Sequence, residues 1–234
     1  MKTNFELLTS VKNSFELKNL LLKKILEIKA PLLDEKSNEL RLYYSQYFTS
    51  LISTTELLLG KNENNNYKTF DEKLKKKFIF DNFLNGKNNY EYIKNIRNSI
   101  LHRGLNITSS AHFENDFPWI IAPEKVQDKW NQNTYSVFEF YLMNIIKKCE
   151  LYIPNIIFDY FQELDILKIE ENQEQLLQEY LKELDNVSDS TMPTWVREMA
   201  KKSMPNIDYI TMRKDSINRY LDELKVDLLD IQRI

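Results

Sequence analysis

Asn89-Tyr90-Glu91-Tyr92-Ile93-Lys94-Asn95-Ile96-Arg97-Asn98-Ser99-Ile100-Leu101-His102-Arg103-Gly104 is the stretch on which the reading of this 234-residue chain turns. Each helical residue advances about 100° around the axis. Ile93, Ile96 and Ile100 therefore form one apolar stripe. Gly104 stands where a left-handed, helix-ending residue belongs, so the pattern predicts a helix over 89–103. Asn98 and His102 lie one turn apart on a face nearly opposite the stripe. Arg97 flanks the stripe beside Tyr90 and Leu101. A guanidinium so placed is partly buried and needs a carboxylate, a carbonyl or a bound phosphate as acceptor. His102 points away from the main core, so solvent or a second packing surface must cover it.

Working outward, the same periodicity recurs on both sides. Residues 5–29 read as a helix with Leu8, Val11, Phe15, Leu22 and Leu26 on one face, interrupted at Asn19 and closed by Pro31. Residues 37–59 form a second, through Leu40, Tyr43, Tyr47, Leu51 and Leu58, with Gly60 as its C-cap. An Asn-rich loop over 61–67 precedes a basic amphipathic segment, 69–83, and the turn Asn85-Gly86-Lys87-Asn88. Downstream, 105–124 is the least helical part. There Phe117-Pro118-Trp119-Ile120-Ile121 reads as a buried loop or a short extended piece. A helix is expected over 134–151, with Pro154 separating it from a continuation over 156–161. Beyond residue 165 an acidic helix carries Ile169, Leu176, Leu177, Tyr180, Leu181 and Leu184. A polar linker, a short helix over 195–203 and a last helix from Thr211, carrying Ile217, Tyr220, Leu221, Leu224 and Leu228, complete the chain.

Composition agrees with a helical fold. Three glycines in the whole chain leave no Gly-rich loop to cradle a nucleotide's phosphates, which excludes Walker and Rossmann sites. The single Cys149 cannot form an intramolecular disulfide and points to a reducing compartment. Residues 1–30 lack the order of a signal peptide, and no apolar run reaches the roughly 18–20 residues that span a bilayer. The expectation is a cytoplasmic protein without a membrane segment. Charge is uneven. Residues 1–149 carry 22 Lys and Arg against 17 Asp and Glu, a net of +5, and residues 150–234 carry 10 against 18, a net of −8. The basic part attracts phosphate backbones, and the acidic part repels them or covers a basic face; ordinary scatter of surface charge is the plain alternative.

Arg97-Asn98, three further residues and His102 resemble the R-x4-H motif of the HEPN superfamily. The resemblance is close over the motif and holds over residues 1–160 only as a helical pattern. It implies an all-α, HEPN-like helical bundle, assigned to residues 1–162, with residues 163–234 as an acidic C-terminal helical extension of unknown role. It further implies a metal-independent endoribonuclease, a toxin or phage-defence effector, in which Arg97, Asn98 and His102 are catalytic. By the same resemblance the motif helices of a homodimer meet to complete the site, RNA is the substrate, an antitoxin protein is a possible partner, and no cofactor or metal takes part. Some members of the family only bind RNA or scaffold partners, which is the alternative for this chain.

The chemistry is coherent. RNA is cleaved when its 2′-hydroxyl attacks the adjacent phosphorus, which needs a proton acceptor, a proton donor and positive charge. A histidine can exchange protons near neutrality, and an arginine offers a charged planar fork to phosphate oxygens. Asn98 can orient the imidazole or hold the phosphate, and Arg103 can add a phosphate contact. Lys73, Lys76 and Lys77 can track an RNA backbone, with Tyr67 and Phe70 near to stack on bases. Against these stand simpler roles: an Arg–His pair that anchors the next loop, with His102 capping carbonyls near Gly104, and a lysine run that is a solvated helix face. His112 with Glu114 and Asp116 offers few ligands for a metal. Trp119, Trp130 and Trp195 are expected as core or interface anchors, and Cys149 as a buried thiol.

Overall fold

The computed structural model describes residues 4–59, 65–168, 172–188 and 191–224. Their helices are α1 (Asn4–Glu27), α2 (Asp34–Leu58), α3 (Asn65–Lys77), α4 (Gly86–Arg103), α5 (Leu142–Glu163), α6 (Gln173–Asp185), α7 (Thr194–Ser203) and α8 (Tyr209–Glu223). Four short strands lie between α4 and α5: β1 (Ala111–Glu114), β2 (Phe117–Ile120), β3 (Lys125–Gln127) and β4 (Thr134–Ser136). They form two separate two-stranded antiparallel sheets, β1–β2 and β3–β4. The fold is therefore mostly helical, with two small hairpins added. None of its described helices is long and apolar enough to cross a membrane.

The apolar stripes do the packing. Leu8, Val11, Phe15, Leu22 and Ile25 of α1 are buried against α2, whose Leu40, Tyr47, Leu51 and Leu58 are buried in turn. The α1 stripe runs through Lys18, which is 1% exposed, and not through Asn19. Lys18 Nζ lies 2.5 Å from Glu150 Oε2 on α5 and donates to Asn19 Oδ1 at 2.8 Å. The Tyr47 hydroxyl donates to Glu150 Oε1 at 2.5 Å. The sequence gives no sign of this buried pair, because its two charges are 132 residues apart.

α2 packs on α4, and α3 on both α4 and α5. Phe70, Leu74, Phe78 and Phe80 are buried, as the amphipathic pattern requires. At the far end of the chain, α8 returns to α1. Ile217 and Tyr220 join the core there, and Asn19 Nδ2 donates to the Glu223 carbonyl and to Glu223 Oε2, at 3.0 and 2.7 Å. α6 packs on α7 and α8, with Tyr180 stacked on Tyr209 at 4.6 Å between ring centroids.

Three expectations need correction. Thr134–Ser136 is a strand, and α5 starts only at Leu142. Val126 is buried opposite Tyr135 in this hairpin, so side-chain alternation and cross-strand pairing prevail over the helical reading. Pro154 does not divide the following helix, because α5 runs through it from Leu142 to Glu163. An interior proline costs about 3 kcal/mol. Here Ile153, Ile156, Ile157, Tyr160 and Phe161 are all buried around it, and that packing outweighs the loss. Phe117–Ile120 is the short extended piece, buried along its whole length. α3 starts at Asn65, inside the stretch read as loop. Gly60, the Tyr67 side chain, Ile169 and Leu228 lie outside the described residues.

Candidate functional site

α4 is fixed at both ends. Asn85 caps it by accepting the Asn88 backbone N–H at 3.0 Å. Gly86 sits so tightly against the end of α3 that a Cβ there would meet the Lys75 carbonyl oxygen at 2.1 Å. Gly104 ends the helix at φ +66°, a left-handed conformation that costs glycine little. Tyr90, Ile93 and Ile96 are buried, and so are Tyr92, Asn95 and Ser99. The second set reflects a second packing surface, the β3–β4 hairpin. Tyr92 donates its hydroxyl to the Pro123 carbonyl just before that hairpin. Arg103 donates through Nη1 to the Gln127 carbonyl at 3.1 Å and through Nη2 to the Asp128 carbonyl.

This arrangement separates the motif residues. Arg97 turns toward α2, where its Nη2 lies 2.7 Å from Glu56 Oε1 and its side chain is 15% exposed. The expected acceptor is thus a carboxylate of the neighbouring helix. Arg97 Nε is buried with no hydrogen-bond partner among the described residues. Asn98 and His102 turn the other way, and with Arg103 and Lys129 they line a cleft of about 320 Å³. Arg97 does not line it. His102 is exposed, and Asn98 Nδ2 reaches Asn95 Oδ1 only at 3.5 Å. Arg103 also borders a second cleft, of about 820 Å³, on the flank of the hairpin with Ser99, Pro123, Lys125 and Thr134.

The turn of the hairpin is built on one carboxylate. Asp128 accepts the backbone N–H groups of Trp130, Gln132 and Asn133 at 3.2, 2.9 and 3.2 Å, and Asn133 Nδ2 at 2.7 Å. The Asn133 side chain first, and then these backbone donors, hold its carboxyl below the usual aspartate value. Asp128 therefore stays anionic, but its charge is spent inside the turn. Lys129 and Trp130 project from that turn, with Lys129 Nζ 5.1 Å from the centre of the Trp130 ring.

The remaining candidates scatter. Lys73 pairs with Glu163, and Lys77 Nζ lies 2.5 Å from Asp159 Oδ2, so both tie α3 to α5. Lys76 is exposed on α3. None of the three lines the cleft. His112 is exposed on β1 opposite Trp119, and no cluster of three His, Cys, Asp or Glu that could hold a metal ion occurs among the described residues. Trp119 is buried, whereas Trp130 and Trp195 are exposed and anchor no core. Cys149 is fully buried, and burial, followed by the charge of Glu150, pushes its thiol well above the ordinary value. Sequence reasoning missed Glu56, Lys129 and Asp128 as parts of the site. The adjacent Lys129-Trp130 pair was visible, but only the fold brings Lys129 to His102.

Fold and site together define a mostly helical protein whose motif helix is clamped under a small β-hairpin. No protein-family model matches the chain, and comparison with curated proteins and with solved structures likewise finds no match.

Proposed function

We propose that this chain is a metal-independent endoribonuclease of HEPN type, a toxin or phage-defence effector that works as a homodimer. One observation carries the reading. Asn98 and His102 stand one turn apart in a cleft whose other walls, Arg103 and Lys129, are both cationic. In the proposed reaction His102 exchanges a proton with the 2′-hydroxyl or the leaving oxygen. Lys129 and the residual charge of Arg103 offset the charge that builds on the phosphorane-like transition state. Asn98 holds the imidazole or a phosphate oxygen. Arg97 faces Glu56 instead of this cleft, and in the proposed homodimer a second copy brings its own motif helix alongside.

Purified protein is incubated with varied RNAs in EDTA, beside His102→Ala and Arg97→Ala variants, and its mass in solution is measured. Cleavage by the wild-type dimer and loss of at least about 100-fold in either variant are expected. Equal cleavage by all three, or none by the wild type, rejects the proposal. A non-catalytic, HEPN-like module that binds RNA or scaffolds a partner is the second reading. Its supporting observation is that four of the five nominated cations, Arg97, Arg103, Lys73 and Lys77, are engaged within the chain. It expects His102→Ala to leave RNA affinity and cellular phenotype intact.

A further inference from the structure

Trp130 has the largest exposed indole of the described chain, at 72%, and it occupies an unusual place. Large aromatic side chains at an exposed turn are costly to leave in water, and this turn is well ordered by its own bonds. Asp128 gathers three backbone N–H groups beneath it. Arg103, the residue after His102, fastens the carbonyls of Gln127 and Asp128 to the end of α4. The indole is therefore presented on a rigid turn bolted to the motif helix. The intervening residue, Lys129, both lines the His102 cleft and lies against the ring. Its ammonium group lies 5.1 Å from the ring centre, and the residue as a whole stays largely exposed to solvent.

An exposed indole next to a cationic cleft matches one ligand chemistry well. Single-stranded nucleic acid offers flat bases that stack on aromatic rings, joined by phosphates that seek cations. A duplex hides its bases, and an acidic peptide has no use for an indole face of this kind. Lys129 at the His102 cleft, Lys125 at the second cleft and Arg103 at both supply positive charge along the path. The nearby carboxylate of Asp128 is consumed by the turn.

We propose that Trp130 on the β3–β4 turn is a base-stacking platform for single-stranded RNA, which seats one nucleotide so that the adjoining phosphate enters the Asn98–His102–Lys129 cleft. This rests on the reading of that cleft as an RNA site, and it adds the element that grips the strand. The platform contributes binding, not proton transfer.

The test uses the full chain and a uridine oligomer of about twelve nucleotides, within the usual span of single-strand sites. Its sugars are 2′-O-methylated, so the attacking hydroxyl is blocked and binding is read without cleavage. Affinity of every protein is measured by anisotropy of a labelled oligomer, and that of the protein retaining Trp130 also by tryptophan fluorescence in a Trp195→Phe background, where Trp130 is the remaining exposed indole. Trp130→Ala is expected to weaken binding about ten-fold, and Trp130→Phe to restore most of it, with unchanged circular dichroism and Tm in both. Cleavage of unmodified RNA in EDTA is followed separately. If the wild type binds and Trp130→Ala binds equally well, the platform is overturned while the RNA site stands. Binding that depends on Trp130 without any cleavage upholds the platform and removes the nuclease. Absence of binding by the wild type overturns the platform whatever the cleavage assay reports.

Discussion

Replacing Lys18 by Met tests the least expected feature of the core. The side chains of Lys18 and Glu150 are 1% and 0% exposed, and their charged atoms are 2.5 Å apart. At an effective dielectric constant of about 20, that separation corresponds to a gross attraction of about 7 kcal/mol. Desolvating the two ions costs several kcal/mol each, so the pair adds little net stability relative to apolar residues of similar size. Removing one partner is another matter. Lys18→Met leaves the Glu150 carboxylate buried, with Tyr47 as its remaining donor, and such a loss costs about 3–5 kcal/mol. With a urea slope of about 2 kcal/mol/M, the unfolding midpoint should fall by about 2 M. The triple change Lys18→Met, Glu150→Met and Tyr47→Phe removes the charge, its partner and the orphaned hydroxyl together, and should recover most of the loss. Urea titration followed by circular dichroism measures all three proteins. A cost below about 1 kcal/mol for Lys18→Met, or a triple variant no more stable than the single one, would refute the reasoning.

Gly86→Ala should cost about 3 kcal/mol, because a Cβ there meets backbone oxygen that cannot swing aside; a thermal or urea shift near zero would show that α3 and α4 can separate freely. Glu56→Gln should cost under about 1 kcal/mol, since the Glu56 side chain is 42% exposed, yet it should change RNA cleavage by releasing Arg97; unaltered cleavage would leave the ion pair a mere tether. Asp128 has a lowered carboxyl pKa, so its contribution to the turn is complete above the ordinary aspartate value and fades as pH falls through the lower folded value. The amide resonances of Trp130, Gln132 and Asn133 should therefore titrate with a midpoint below 3.8, and a midpoint at or above it would deny Asp128 this role.

Much of the motif helix was legible because its signals are local. The isoleucine spacing, the flanking Arg97 and the closing Gly104 are set by helical geometry alone, and each keeps its expected place. Arg97 found its carboxylate on α2, although only the fold could name Glu56. The errors came where distant residues intervene. Tyr135 reads acceptably as helix until Val126 pairs with it across a turn that Asp128 organises. Pro154 ends a helix in isolation, but not inside a ring of buried isoleucines and aromatics. Arg103 and Lys73 looked free to meet phosphate, yet hairpin carbonyls and Glu163 take them up.

Sequence alone determined that this chain is mostly helical, where its main apolar faces lie, and that Asn98 and His102 look away from the core beside Arg97. Those are consequences of periods of 3.6 residues and of helix-ending chemistry, which act within a few turns. Tertiary structure decided what stands beside that outward face: a hairpin whose Lys129 completes a cationic cleft and whose Trp130 stands open to solvent. It also decided that a lysine of α1 belongs in the core, because only the packed bundle supplies Glu150 and Tyr47 at hydrogen-bonding distance. Charges and donors separated by dozens of residues acquire partners only when the chain closes on itself, and no local pattern records which partner each will find.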